Sequence, residues 1–355
     1  MAIAALGLAL ALPCHAESHP SPSPTLTLDA ARGAKLYGRM CAVCHGPAGE
    51  GYAADQAPRL AQPDFLASVS DEYLRGAIAD GRRGSTMSAW AQNRGGPLTR
   101  SDIDAIVVYI RGWQQGPSVR LDEQPLRADP FKGTVIFAAQ CTTCHGARGV
   151  GGPQMQVGGA DLLGSATDGF LRHAIRHGRP GTPMPAFEKT LSPQQIEDVV
   201  AALRSFQTRP DGHPLSRPPP LPLGPVPLNP GGPEPNGFKA EPGTTPADVV
   251  HAELVRGARL AFLDARTPSD FLREHIAGAV SVPFYDPAPY FDKLPKDTWL
   301  VCYCACPHAE SGNLARELVA HGFTKVTVLD EGLGVWKARG YPVSTGESST
   351  PTPRQ

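Results

Sequence analysis

Cys41-Ala42-Val43-Cys44-His45 is the stretch that decides the fold of the N-terminal half, and it returns as Cys141-Thr142-Thr143-Cys144-His145 one hundred positions later. Two thiols one helical turn apart match the two vinyl groups of a porphyrin, and the adjacent His is then offered to the iron. One copy alone fits a chance pattern, a redox dithiol or half of a zinc site. Two copies in similar surroundings select the c-type haem signature, with Cys41, Cys44, Cys141 and Cys144 as thioether positions and His45 and His145 as proximal ligands.

The surroundings repeat too. Residues 29–40 carry Ala30, Ala34, Leu36 and Tyr37 at helical spacing, with Gly33 and Gly38 allowing close packing. Phe131-Lys132-Gly133 matches Ala31-Arg32-Gly33 ahead of the second motif. Residues 171–179 align with 74–82, and Gly181-Thr182-Pro183-Met184-Pro185-Ala186-Phe187 aligns with Gly84-Ser85-Thr86-Met87-Ser88-Ala89-Trp90. A capped amphipathic helix is predicted over 71–80. Thr99 caps a closing helix over 100–112, and Ser192 caps its counterpart.

These features resemble the class I cytochrome c family, twice over, at about 29–116 and 129–208. The resemblance implies two all-α domains, two covalently bound haem c groups, and a distal Met from a loop before the last helix. Met87 and Met184 occupy that place. Core filling is the competing role for each Met. His173 and His177 are rivals for the second iron, though a solvated or packed helix face explains them more simply. The resemblance also implies that Ala57-Pro58-Arg59-Leu60 supplies a proline carbonyl to His45. The second domain has Gly158-Gly159-Ala160-Asp161-Leu162 at the matching point and no proline, so His145 is expected to use another carbonyl.

Residues 209–246 contain 13 prolines, which predicts an extended linker of polyproline character over 209–244. From Thr245 the pattern changes. Short apolar runs at 260–264, 299–303 and 326–329 alternate with helical segments at 268–274, 310–321 and 332–339, predicting an α/β layer with a parallel sheet. Asp264-Ala265-Arg266, His275-Ile276-Ala277-Gly278-Ala279, Val301-Cys302-Tyr303-Cys304 and Glu331-Gly332-Leu333-Gly334-Val335-Trp336 resemble the rhodanese (sulfurtransferase) family, over about 245–345. The fold class is therefore multidomain: two all-α cytochrome c domains, then an α/β rhodanese-like domain, with a disordered tail at 346–355.

The second resemblance implies that Cys304, at the end of the central strand, is the nucleophile, with loop N–H groups and a helix N-terminus stabilising a persulfide anion. This chain departs from the family in the loop. Ala305-Cys306-Pro307-His308-Ala309-Glu310-Ser311 is one residue longer, Glu310 stands near the usual Arg, and Pro307 removes one N–H. An acid in that place weakens binding of an anionic donor such as thiosulfate. Cys306 is a candidate resolving thiol for a Cys304 persulfide. Cys302, Cys304, Cys306 and His308 lack the usual zinc spacing. Asp264 and Arg266 are expected to pair, and His275 to cap a turn.

Of eight cysteines, four are haem positions and three crowd this loop, so a disulfide framework is not expected. The formal net charge of -1 gives no footprint for nucleic acid. Residues 2–13 are apolar but shorter than the ~20 residues a bilayer span needs. Cys14-His15-Ala16 then reads as a signal-peptidase site, giving a signal peptide over 1–16 and a disordered spacer over 17–28. Lipid anchoring at Cys14 stays open, although Pro13 suits it poorly. The expectation is a periplasmic or otherwise exported dihaem electron carrier with no transmembrane segment in the mature chain. It would exchange electrons with another cytochrome or a terminal oxidase, and its rhodanese-like domain would accept sulfane sulfur from a small sulfur compound on Cys304. The alternative is a pure electron carrier whose third domain is inactive and docks a partner.

Overall fold

Glycine decides how the two helical domains close. Helices α1 (Pro24–Met40) and α5 (Arg100–Arg111) cross where a Cβ on Gly33 would lie 2.0 Å from the Ala105 carbonyl oxygen. Helices α6 (Pro130–Gln140) and α10 (Pro193–Phe206) cross where a Cβ on Gly133 would lie 1.7 Å from the Asp198 carbonyl oxygen. Any side chain there would push the helices apart. Gly38 has open space instead and plays no such part. The structure is a computed structural model describing residues 24–52, 54, 57–206, 223, 226–305 and 308–346. The expected signal peptide, Cys14 and Cys306 lie outside the described residues.

Between the crossing pair, the first domain carries α2 (Ala42–His45), α3 (Pro63–Ser68) and α4 (Asp71–Asp80). The second carries α7 (Thr142–His145), α8 (Ala160–Ser165) and α9 (Asp168–His177). Both are tied alike. Arg111 bonds Asp71 and the Leu66 and Val69 carbonyls, and Arg204 bonds Asp168 and the Leu163 and Ala166 carbonyls. Thr99 and Asp102 form a reciprocal capping box at α5, and Ser192 and Gln195 do the same at α10. Helix α1 begins at Pro24, so the spacer expected to residue 28 gives its last residues to helix. A proline in the first turn costs nothing, because its N–H would be unpaired there anyway.

The domains meet about a pseudo-two-fold relation. Beyond the haem motifs the repeat offset falls to 97 positions, and Asp64, Tyr73 and Arg82 correspond to Asp161, Phe170 and Arg179. Arg179 bonds Asp64, while Arg83 bonds Asp161 at 2.7 Å in the opposite direction. Tyr73 and Phe170 pack ring to ring at 5.2 Å, with Arg82 over the first and Arg179 over the second. The arrangement resembles an isologous dimer interface built inside one chain.

The third domain is a five-stranded sheet in the order β1-β6-β5-β2-β4, with every ladder parallel. Its strands are β1 (Thr244–Thr245), β2 (Leu260–Asp264), β4 (Val280–Ser281), β5 (Trp299–Tyr303) and β6 (Val326–Leu329). A separate antiparallel pair joins β3 (His275–Ile276) to β7 (Val343–Ser344). Helices α11 (Ala247–Val255), α12 (Pro268–Arg273), α13 (Ala309–Ala320) and α14 (Gly332–Ala338) lie between the strands. The central strands are buried along their length, as a parallel sheet covered by helices requires. The expected linker is shorter than predicted. From Leu228 the proline-rich segment folds onto this sheet, where Leu228 bridges Leu260 and Glu234 accepts from Trp299 and Lys325. Apolar residues between the prolines supply that packing, with Phe238 edge-on to Trp299.

Candidate haem pockets and sulfur site

In the first domain the haem motif forms one helical turn, closed by the His45 N–H donating to the Cys41 carbonyl at 2.9 Å. His45 is buried, and its Nδ1 lies 3.0 Å from the Pro58 carbonyl. A carbonyl only accepts, so Nδ1 carries the proton and Nε2 keeps its lone pair. Burial lowers the imidazole pKa against the opposing effect of that hydrogen bond, which leaves the ring neutral with a free lone pair on Nε2. The Met87 loop is held in two places: its carbonyl accepts from the Arg82 N–H at 2.9 Å, and its N–H donates to Ser85 Oγ.

The second domain repeats this with different residues. The Met184 carbonyl accepts from the Arg179 N–H at 3.0 Å, and its N–H donates to Thr182 Oγ1. His145 Nδ1 donates to the Met155 carbonyl at 2.8 Å. Met155 lies 97 positions after Pro58 and does the same work, so the match expected at 158–162 begins three residues earlier. The loop between the haem motif and this carbonyl is shorter in the second domain, which accounts for the shift. His145 is half-buried and Cys144 exposed, unlike the buried His45. His173 and His177 are engaged elsewhere: His173 Nε2 sits 2.9 Å from Asp64, and His177 Nδ1 3.5 Å from Glu188.

The two pockets are one cavity of about 850 Å³, lined by Cys41, His45 and Met87 on one side and Cys141, Cys144, His145 and Met184 on the other. Arg82 also lines it, and its Nη2 is buried with no hydrogen-bond partner. A buried unpaired guanidinium nitrogen calls for an anion. A haem propionate supplies one, so the residues present fit covalently attached haem c. Arg179, the counterpart, is already engaged by Asp64.

In the third domain Cys304 follows β5 and is fully buried, with Sγ 3.3 Å from Ser311 Oγ in the first turn of α13. Glu310, one residue earlier, is buried as well. Burial pushes the neighbouring Cys302 thiol up, so it stays protonated and inert. Arg266 holds Asp264 through a bidentate pair at 2.6 and 2.9 Å, and His275 Nδ1 donates to the Phe271 carbonyl at 2.8 Å. These three residues hold the fold together around the strand ends. Among the described residues no group of acids, histidines and thiols could hold a metal ion, and no helix is long and apolar enough to cross a membrane.

The sequence reading missed Arg82, the Asp64 and Asp161 ion pairs, Met155 and Ser311. Met155 was findable, because the 97-residue offset places it on Pro58. Ser311 carried no signal beyond its position after the loop.

Comparison with known proteins agrees with this division. The family model for cytochrome c oxidase, cbb3-type, subunit III matches residues 28–110 and 128–201, and the rhodanese-like domain model matches 247–339. The chain is 30% identical over 193 residues to a cbb3-type cytochrome c oxidase subunit FixP of Bradyrhizobium sp. (strain ORS 278), covering 51% of this chain and 62% of that protein. It is 29% identical over 171 residues to a subunit CcoP of Helicobacter pylori (strain 52), covering 47% and 55%. The chain thus spans less than two thirds of these relatives. A solution structure of a rhodanese-like domain from Anabaena sp. matches at 30% identity with a TM-score of 0.28, covering 32% of this chain and 86% of that one.

Proposed function

The chain carries two cytochrome c domains and a rhodanese-like domain, and on that premise we propose that it is an exported two-haem electron carrier whose third domain accepts sulfane sulfur on Cys304. The observation that carries the electron-transfer part is the single cavity lined by both haem motifs and both Met loops. Cys41, Cys44, Cys141 and Cys144 would anchor the two groups, and His45, His145, Met87 and Met184 would supply the iron ligands. Arg82, with its unpartnered Nη2 in the cavity, would pair with a propionate of the first haem. Haem c, when bound, supplies reversible one-electron chemistry. The protein's own contribution is to fix each imidazole tautomer through Pro58 or Met155 and to open both haem motifs onto one cavity.

Curated relatives bear the names of oxidase subunits. That supports a terminal oxidase, or another cytochrome on the way to one, as the partner. Cys304 at the end of the central strand, with Ser311 and the start of α13 beside it, supports a persulfide there. The buried Glu310 and the full burial of Cys304 favour a second reading, a pure electron carrier whose third domain only docks a partner. Intact mass of the purified protein tests the first part, with two haems per chain expected. Peptide mass spectrometry after polysulfide treatment separates the two readings: added sulfur on Cys304 supports the first, and its absence the second.

A further inference from the structure

The hydrogen bonds and ring contacts that join the first cytochrome domain to the third domain gather at one edge of the parallel sheet. Arg39, two residues before the first haem thiol, donates Nε to the Tyr285 carbonyl and pairs with Asp286 at 3.1 Å. Trp90, just beyond the Met87 loop, packs on Tyr285 at 5.5 Å and Phe284 at 6.5 Å. Ser88 bonds Asp270, and Ser269 Oγ donates to the Ala89 carbonyl at 3.2 Å. The haem-motif helix α2 packs against α13. Ser269, Phe284 and α13 all follow the carboxyl ends of strands β2, β4 and β5, where open α/β sheets bind their ligands.

Cys304 sits under that contact. Ser311 touches its sulfur, Glu310 precedes Ser311, and Tyr285 is within electrostatic reach of both Glu310 and Arg39. The second domain has Ala139, Pro185 and Phe187 where the first has Arg39, Ser88 and Trp90, and α7 faces solvent through Cys144. The Arg39 and Arg266 guanidiniums are committed, Arg39 to Asp286 and Arg266 to Asp264. Cys304 is fully buried, and Glu310 beside Ser311 is buried as well.

We propose that Cys304 and the attachment face of the first haem form one composite site, which takes hydrogen sulfide and not thiosulfate or a bulky persulfide carrier. The inference rests on Cys304 as the sulfur acceptor and adds the sulfur source and the electron route. The Cys304 thiol and one molecule of hydrogen sulfide give the Cys304 persulfide, two protons and two electrons. Two S–H bonds break and one S–S bond forms. The protons leave to solvent. The oxidant is ferric haem c, one electron to each of two groups, entering through the first domain. A small uncharged donor suits a fully buried thiol, and a two-electron step suits a chain with two sites for one-electron acceptors.

The test uses the full haem-loaded chain, oxidised and oxygen-free, with sodium sulfide, and reads the Cys304 peptide by mass alongside the haem absorbance. Gain of one sulfur on Cys304, with two haem equivalents reduced per sulfur and no gain in the pre-reduced protein, is the expected result. Cys304→Ser should lose the mass gain and most of the fast haem reduction. Arg39→Glu places like charge against Asp286 and should slow both by about tenfold or more, while Arg39→Lys keeps them. Polysulfide labelling in Arg39→Glu is the control that the third domain remains folded. If polysulfide labels Cys304 but sulfide with ferric haem does not, the composite site is overturned and the acceptor role stands. If neither labels it, both fall. Unchanged sulfide labelling in Arg39→Glu also overturns the interface role.

Discussion

The two cytochrome domains come from one plan and stand in different surroundings. Each has a glycine-tight helix crossing, an arginine tying its last helix to two carbonyls, a Met loop pinned at the same two atoms, and an imidazole N–H given to a carbonyl. The first domain lies between its twin and the rhodanese-like domain, whereas the second leaves its haem-motif helix and α6 exposed, with Phe131 84% and Val135 71% accessible. The residues at the contact are the ones that differ between copies: Arg39, Ser88 and Trp90 in the first stand against Ala139, Pro185 and Phe187 in the second. On the proposed reading, only the first copy has the residues that would pass electrons to or from the third domain.

The hardest blow to that comparison is loss of a haem. Replacing Cys41 and Cys44 by Ala should remove one haem from the intact mass and also disturb the contact with the third domain. Replacing Cys141 and Cys144 should remove one haem and leave that contact in place. Limited proteolysis of the proline-rich segment reads the difference. Equal susceptibility in both variants would break the asymmetry.

The glycine crossings give the next largest effect, and here the domains should behave alike. Gly33→Ala and Gly133→Ala would set a methyl group 2.0 and 1.7 Å from a backbone oxygen. Each should cost about 3 kcal/mol or more in thermal or denaturant unfolding, since neither helix backbone can yield cheaply. A loss under about 1 kcal/mol at either site would mean that the crossing is looser than described.

A smaller effect separates the two haem potentials. Burial disfavours the ferric form, which carries the extra positive charge, and the unpaired Arg82 guanidinium nitrogen adds a cation beside the first group. The first haem should therefore titrate at the higher potential, and Arg82→Gln should lower it while leaving the second nearly unmoved. Redox titration of the two single-haem variants decides the order, and the reverse order would refute the burial argument.

Much of this was legible in the chain before any coordinates. The strand runs 260–264, 299–303 and 326–329 match β2, β5 and β6, because short, fully apolar runs have few other solutions. The haem motifs and Met loops were legible because they repeat. The two-residue strands β1, β3, β4 and β7 were not, since they pair too briefly to impose a period. The folded half of the proline segment was hidden for a different reason: composition reports stiffness, while packing of Leu228 and Phe238 depends on a sheet made far along the chain. The joint between the haem domains was hidden because side chains that meet across 78 or 115 positions leave no local trace.

That joint offers the smallest and most specific test. Asp161 is mostly buried against Arg83; burial alone would raise its carboxyl pKa, but the hydrogen bonds from Arg83 outweigh it and hold the group below the ordinary range. A carboxyl depressed on folding stabilises the contact above its unfolded pKa, near 3.8, and that stability is lost as pH falls through the lower folded value. Asp161→Asn should therefore cost about 1 kcal/mol at neutral pH and almost nothing in strong acid, with haem content unchanged. Asp64→Asn removes the twin pair to Arg179 and frees that guanidinium beside the second pocket. It should raise the potential of the second haem, closing part of the gap to the first. If the gap stays as wide, Arg82 is not what distinguishes the two pockets, and burial alone carries the difference.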